Sequence, residues 1–204
     1  MKRGFAVVTA LIVGTMVSAC VQMSRGSEPG WVALIDGGRG LENFIGIGDA
    51  NWRVEGDAIV ADKGKGGYLI TRKSYKDFQI RAEFWADTST NSGIFLRMSD
   101  RSAVTSANSY EVNIYDLRPE AKYGTGAIVD VAAVVPMPKA GGQWNTYEIT
   151  AKGPRMTVVF NGAQTVDVQH AKFGEGPFAL QFANGPNDAP GGAIKWRKVY
   201  VKEL

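Results

Sequence analysis

The stretch NSYEVNIYD, Asn108 to Asp116, sets an acid, an amide and a phenol in one row. A strand turns successive side chains to opposite faces. Ser109, Glu111, Asn113 and Tyr115 therefore share one side, and Tyr110, Val112, Ile114 and Asp116 the other. Glu111 can act as a base or as a metal ligand. The Asn113 amide carries both a donor and an acceptor, which suits a hydroxyl group. Tyr115 offers a ring on which a sugar can stack. The simpler alternative is a solvated strand face, and parity alone leaves open which side of a sandwich the row occupies. Asp116 has the opposite parity and stands at the strand's end. It either reaches a ligand or a metal there or caps a turn, and the cap is the favoured reading.

Other residues fit the same chemistry. Arg97 ends the strand-like NSGIFLR, and its guanidinium can present two donors to an oxygen-bearing ligand group; a salt bridge is the alternative. Asn91, Ser92 and Gly93 open that strand, as a groove edge or as a plain turn. Gln181 in GPFALQF is a second amide for sugar hydroxyls. Tyr123 and Trp144 are further stacking platforms, Trp144 being equally suited to a core. Trp31, Trp52 and Trp196 read as core, and Trp85 fits either place. One histidine, His170, with a single cysteine cannot build a zinc site of the usual kinds. Glu111 with Asp116 could hold a divalent ion, but the ligand set is too small to claim one, and no cofactor is otherwise evident. No phosphate-binding loop, GxSxG elbow or Ser-His-Asp set is present.

The elements that must position these groups read as strands. From Trp31 to Leu204 the apolar period is two almost throughout. WVALID, WRVEGDAIVA, GGYLIT, FQIRAEFWA, SGIFLRM, SYEVNIYD, three strands within WNTYEITAKGPRMTVVFNGAQTVDV, GPFALQF and AIKWRKVYVKEL follow one another. Turns are marked at Glu55-Gly56-Asp57, Lys152-Gly153-Pro154 and Asn161-Gly162, the last a strong hairpin signal. This pattern predicts an all-β fold, a two-sheet jelly-roll sandwich. Two Gly/Pro-containing loops interrupt it, Leu117 to Gly142 and Phe182 to Ala193. The first follows directly on the polar strand, and loops of that length in compact domains are usually functional or disordered.

The chain of 204 residues has an ordinary globular composition, with 45% hydrophobic and 21% charged residues. Removing the leader cations Lys2 and Arg3 from a formal charge of +3 leaves about +1, which is no footprint for nucleic acid. The leader has a basic MKR, a short apolar run and VSAC, a pattern that resembles a bacterial lipoprotein signal over residues 1–19. Cys20 is then the lipid-attachment site and residues 20–30 a tether that ties the domain of residues 31–204 to a membrane surface. Val21 rather than an aspartate follows the cysteine, which points to the outer membrane of a bacterial envelope.

The order of motifs resembles the 3-keto-disaccharide hydrolase family. The matching pieces are WVALIDG, WRVEGDAIVA, GGYLITRKSYKDFQIRAEFW, NSGIFLR, YEVNIYD, GQWNTYEITAKGPRMTVVFNG and GPFALQ with WRKVYVKEL. The resemblance implies a concanavalin A-like lectin and glucanase fold, and cleavage of glycosides already oxidised to a ketone at carbon 3. It also places the Glu111 row on the concave sheet. Two departures stand out. The family commonly has Glu-x-Gln where this chain has Glu111-Val112-Asn113, and many members carry Asp-His-Gly after the late-strand Gln, where this chain reads LQFANG. A 3-ketone acidifies the proton on carbon 2, so a base can remove it and the group on carbon 1 can leave. Glu111 and Arg97 are the expected catalytic pair, lying within a few ångströms of each other. A non-catalytic carbohydrate-binding lipoprotein of the same fold is the alternative. A third reading is a structural envelope protein that docks another protein through an apolar patch.

Overall fold

The computed structural model describes residues 28–204. Cys20, the leader and residues 20–27 of the tether lie outside the described residues. Among these the chain forms strands and three short 3-10 turns, with no α-helix. The strands are β1 (Trp31–Asp36), β2 (Phe44–Gly48), β3 (Arg53–Glu55), β4 (Ala58–Ala61), β5 (Gly66–Thr71), β6 (Phe78–Ala86) and β7 (Asn91–Leu96). They continue with β8 (Tyr110–Tyr115), β9 (Gln143–Lys152), β10 (Arg155–Phe160), β11 (Ala163–Gln169), β12 (Ala179–Ala183) and β13 (Ile194–Glu203).

Two antiparallel sheets result. The larger has eight strands in the order β11-β10-β9-β6-β13-β4-β3, with β1 also paired to β13. The smaller runs β2-β5-β12-β7-β8. The two-sheet all-β sandwich expected from the period-two pattern is what forms. One strand, β2, carries little periodic signal, because two glycines in FIGIG leave only Phe44, Ile45 and Ile47 to mark it. At the β10–β11 turn Asn161 and Gly162 both adopt positive φ, 48° and 81°, which is what a tight type I′ hairpin requires.

The core lies between the sheets. Ile80, Phe84, Tyr147, Ile149, Trp196 and Val199 of the large sheet meet Leu69, Ile94, Leu96, Val112, Ile114, Leu180 and Phe182 of the small one. Phe84 packs against Tyr147 and Trp196 at ring-centroid distances of 5.2 and 5.4 Å. Full burial of each such side chain contributes about 1.5–3 kcal/mol, so the alternation that fills this layer also fixes strand register. The register decides what faces outward. With Tyr110, Val112 and Ile114 committed to the core side, Glu111, Asn113 and Tyr115 must occupy the outer face of the small sheet.

Of the tryptophans, Trp196 is fully buried, while Trp31 and Trp52 are only half-buried at the margins. Trp85 and Trp144 pair across β6 and β9 on the outer face of the large sheet. Arg197 stands over the Trp144 ring at 4.0 Å and Lys195 over the Trp85 ring at 5.0 Å. Trp144 is therefore neither core nor part of the polar row: the opposite sheet carries it.

Candidate functional site

The outer face of the small sheet carries a cleft of about 320 Å³, lined by Asn91, Ser106, Glu111, Asn113, Tyr115, Arg118, Tyr123, Val129, Gln181, Asn184, Gly185 and Pro186. Its volume is at the small end of the usual range for ligand pockets, roughly 300–1,000 Å³. The floor is β8, β7 and β12. The walls are the two long loops. The segment after β8 folds back on that edge strand: the main-chain N–H groups of Gly126 and Val129 donate to the carbonyls of Asn113 and Glu111, at 3.0 and 2.9 Å. The loop after β12 supplies Asn184, Gly185 and Pro186 on the other side, and the Asn91 Nδ2 donates to the Asn184 carbonyl at 2.6 Å. A second cavity, about 410 Å³, lies beside β2 between Leu41, Phe44, Trp52 and Leu69, and no titratable side chain lines it.

Glu111 is the one carboxylate lining the cleft. Burial raises its pKa to about 7; Asp130 adds to the rise and Arg118 opposes it. The burial has a visible source. Phe95 pairs directly with Glu111 across the strands and belongs to a satellite apolar cluster with Ile70, Met98, Val104 and Ala179 on that same outer face. A carboxyl pushed to this range beside a cation is suited to exchanging a proton near neutral pH.

Arg118 is the cation of the cleft. Its guanidinium stands 4.7 Å over the Tyr123 ring, and none of the ion pairs among the described residues includes it. Sequence reasoning passed over it as one loop residue among many. Its position directly after the polar strand, in a long loop, was the available signal.

Arg97, the expected partner of Glu111, is elsewhere. Its backbone takes φ 51°, a left-handed conformation that breaks the strand alternation after Leu96. Its side chain is 1% exposed and clamps three segments. It donates to the carbonyls of Lys76 at 2.8 Å, Gly153 at 2.7 Å and Phe173 at 3.3 Å, and pairs with Asp77 at 3.1 Å. It is a structural clamp and lines no part of the cleft.

Asp116 is likewise outside the cleft, and the turn-cap reading describes it. Its carboxylate accepts from the Thr125 hydroxyl at 2.6 Å and from the main-chain N–H groups of Ala140 and Gly141, each at 2.9 Å. It ties both ends of the long loop together. Trp144, on the far sheet, also leaves the set. Glu111, Asn113, Tyr115, Tyr123 and Gln181 do converge. Asn113 differs from its expected role, because its amide is already engaged: Nδ2 donates to the Tyr123 carbonyl at 2.6 Å, and Oδ1 accepts from the Ile114 N–H at 3.1 Å. Among the described residues no three His, Cys, Asp or Glu side chains group as metal ligands. The cleft offers one carboxylate among amides and phenols.

A β-sandwich with a polar cleft on one sheet is an architecture common to carbohydrate-recognising proteins. Within it the chain belongs to the 3-keto-α-glucoside-1,2-lyase-like domain family, whose model matches residues 30–202. The fold is similar to two crystal structures of a "putative glycosyl hydrolase" from Parabacteroides distasonis ATCC 8503. One has TM-score 0.70 and 16% identity over 86% of this chain and 94% of that one. The other has TM-score 0.67 and 22% identity over 85% and 99%. It is also similar to the carbohydrate-binding module CBM66 from Bacillus subtilis, with TM-score 0.56 and 16% identity over 85% and 96%. No curated protein matches the chain.

Proposed function

We propose that the protein cleaves 3-keto-glycosides by taking the proton from carbon 2 and expelling the group on carbon 1. The observation that carries this reading is Glu111, a carboxyl with a pKa of about 7 facing a cleft that also holds an unpaired guanidinium. The ionised carboxylate removes the proton on carbon 2, which the neighbouring ketone acidifies. The electron pair moves to the ketone oxygen, and Arg118 takes the role the sequence suggested for Arg97, holding that oxygen as it becomes an enolate. Collapse of the enolate breaks the bond from carbon 1 to the glycosidic oxygen. The proton on Glu111 is the one the departing oxygen needs. The ring product is then a 1,2-unsaturated 3-ketone, and addition of water gives the free 3-keto sugar. The family's description as lyase-like supports the elimination. The two opposed carboxylates of an ordinary glycosidase are not required.

The reading assigns no metal to the reaction. It also takes Cys20 as a lipid anchor that holds the domain at the bacterial envelope, with the outer membrane as its site. A second reading, glycan binding without turnover, is favoured by one feature: the stretch LQFANG holds neither the Asp nor the His that the family resemblance leads one to expect after Gln181. The deciding experiment incubates the protein with a panel of 3-keto-disaccharides, with and without a chelator, beside Glu111→Gln, and follows release of 3-keto sugar by mass spectrometry. Turnover that disappears in the variant supports the lyase reading. Saturable binding with no turnover on any substrate replaces it with the binding one, and loss with chelator adds a metal.

A further inference from the structure

Gln181 carries an unsatisfied group. Its side chain lines the cleft and is 7% exposed. Nε2 donates to the hydroxyl oxygen of Tyr68, its direct cross-strand partner on β5, at 3.3 Å. Oε1 is buried with no hydrogen-bond partner. The Tyr68 phenolic proton has no acceptor among the described residues either. Buried polar atoms in folded proteins are nearly always paired, so an orphan acceptor beside a free donor calls for an explanation.

Between this pair and Glu111 the sheet carries a residue without a side chain, the buried Gly93. On the register that pairs Leu180 with Ile94 and Ala183 with Asn91, Gln181 stands across from Gly93. Gly93 in turn pairs with Asn113 on β8. A Cβ at Gly93 would come within 2.9 Å of the Val112 carbonyl oxygen and 3.5 Å of the Glu111 Cγ. What approaches the Gly93 backbone is β8 itself, through the Val112 carbonyl, so no side chain rises from β7 between Gln181 and Asn113. Strands lie about 4.8 Å apart, so β12 and β8 are roughly 10 Å apart, about the reach of one pyranose ring with its hydroxyls.

We propose that Tyr68 and Gln181 are the specificity-determining pair of the cleft. A hydroxyl on the C4–C6 edge of the sugar donates to Gln181 Oε1 and accepts from the Tyr68 O–H. The ring then lies over Gly93 with carbon 2 at Glu111, on the reading of the reaction given above. A hydroxyl is both donor and acceptor, so it satisfies both groups at once.

The test compares kcat/KM for a 3-keto-glucoside with its 4-deoxy and 6-deoxy forms, in the wild type, Gln181→Met and Tyr68→Phe, with melting temperatures alongside. The wild type should discriminate against one deoxy form by roughly 10–100-fold, the range expected when a buried acceptor is left unpaired. In Gln181→Met that discrimination should shrink toward unity. Tyr68→Phe keeps the ring's edge contact with Phe95 at 5.4 Å, and carries the same test if Gln181→Met does not fold. Equal handling of all three substrates by the wild type overturns the proposal. So does discrimination that persists in a folded Gln181→Met. If no 3-keto substrate is turned over, the reaction reading falls by itself. Calorimetric titration of Glu111→Gln with the same three ligands then decides the pair, by the presence or absence of the same discrimination.

Discussion

Asn113 holds Tyr123: the strand amide donates to the loop carbonyl at 2.6 Å. Behind it, the core residue Tyr147 donates from its hydroxyl to the Asn113 carbonyl, also at 2.6 Å. A line of hydrogen bonds thus runs from the packed layer through β8 to the wall of the cleft. The wall is set by the core, and a residue that looked made for sugar is spent on placing another that lines the site. Asn113→Ala should therefore cost about 1–2 kcal/mol of stability through the unpaired Tyr123 carbonyl. Backbone exchange of residues 121–127 should accelerate more than that of β8. Hydrogen-exchange mass spectrometry reads this; unchanged protection of that segment would count against the link.

Glu111 gives a stability signature independent of any substrate. Its carboxyl sits at about 7 in the fold against 4.5 for the ordinary group, and burial is the main cause. The folded protein therefore binds more protons than the unfolded chain between those two values, and stability falls as pH rises through that window. The full loss, reached above pH 7, is on the order of 3 kcal/mol at most, and less where cleft water screens the charge. Glu111→Gln should melt at nearly the wild-type temperature at pH 4 and clearly above it at pH 8. Calorimetry at the two pH values tests the sign. In the same variant turnover should fall by roughly 10²–10⁴-fold, the usual contribution of a general base. Wild-type activity should rise with pH through an apparent pKa near 7.

The two arginines separate structure from chemistry. Replacing Arg97 with Met strands the carbonyls of Lys76, Gly153 and Phe173 and leaves Asp77 unpaired. A loss of about 3–5 kcal/mol is expected, as for one partner removed from a buried ion pair. Whatever folds should keep its KM. Arg118→Ala should behave in the opposite way, with stability within about 0.5 kcal/mol of wild type. Its kcat should drop by roughly 10²–10³, the effect of removing one donor from an oxyanion site. Chemical denaturation and steady-state kinetics on both variants settle the assignment. An Arg118→Ala enzyme of normal kcat would remove this residue from the mechanism.

Much of this was legible in the sequence. FQIRAEFWA coincides with β6 because one face lies in the core and burial imposes strict alternation, whereas WVALID and GGYLIT coincide with β1 and β5 although a bulge after Ala33 and the outer apolar cluster at Ile70 break the alternation there. Both walls of the cleft come from the loops that the Gly and Pro content singled out. Two assignments, those of Trp144 and Arg97, were not legible. Parity says which residues share a face, but sheet pairing says which face it is, and only long-range register brings Trp144 to the far sheet. At strand ends parity itself fails. Arg97 turns away through a positive φ, and Asp116 curls under the loop it anchors.

Asp116 supplies the last test, because it was read both as a ligand residue and as a cap. Ala140 is fully buried, so without the carboxylate its N–H loses its partner with no water to replace it. The Thr125 hydroxyl and the Gly141 N–H lose theirs at the same time. Asp116→Ala should cost about 2–4 kcal/mol, the loss of two or three bonds to a charged acceptor that do not add fully. Asp116→Asn keeps one acceptor oxygen and should cost about half as much. Measured well below the melting temperature, the Asn variant should keep its KM within about twofold, because the carboxylate lies outside the cleft and touches only the loop. A ligand residue predicts the reverse, a raised KM at unchanged stability. Urea denaturation and KM measured on the same preparation distinguish the two.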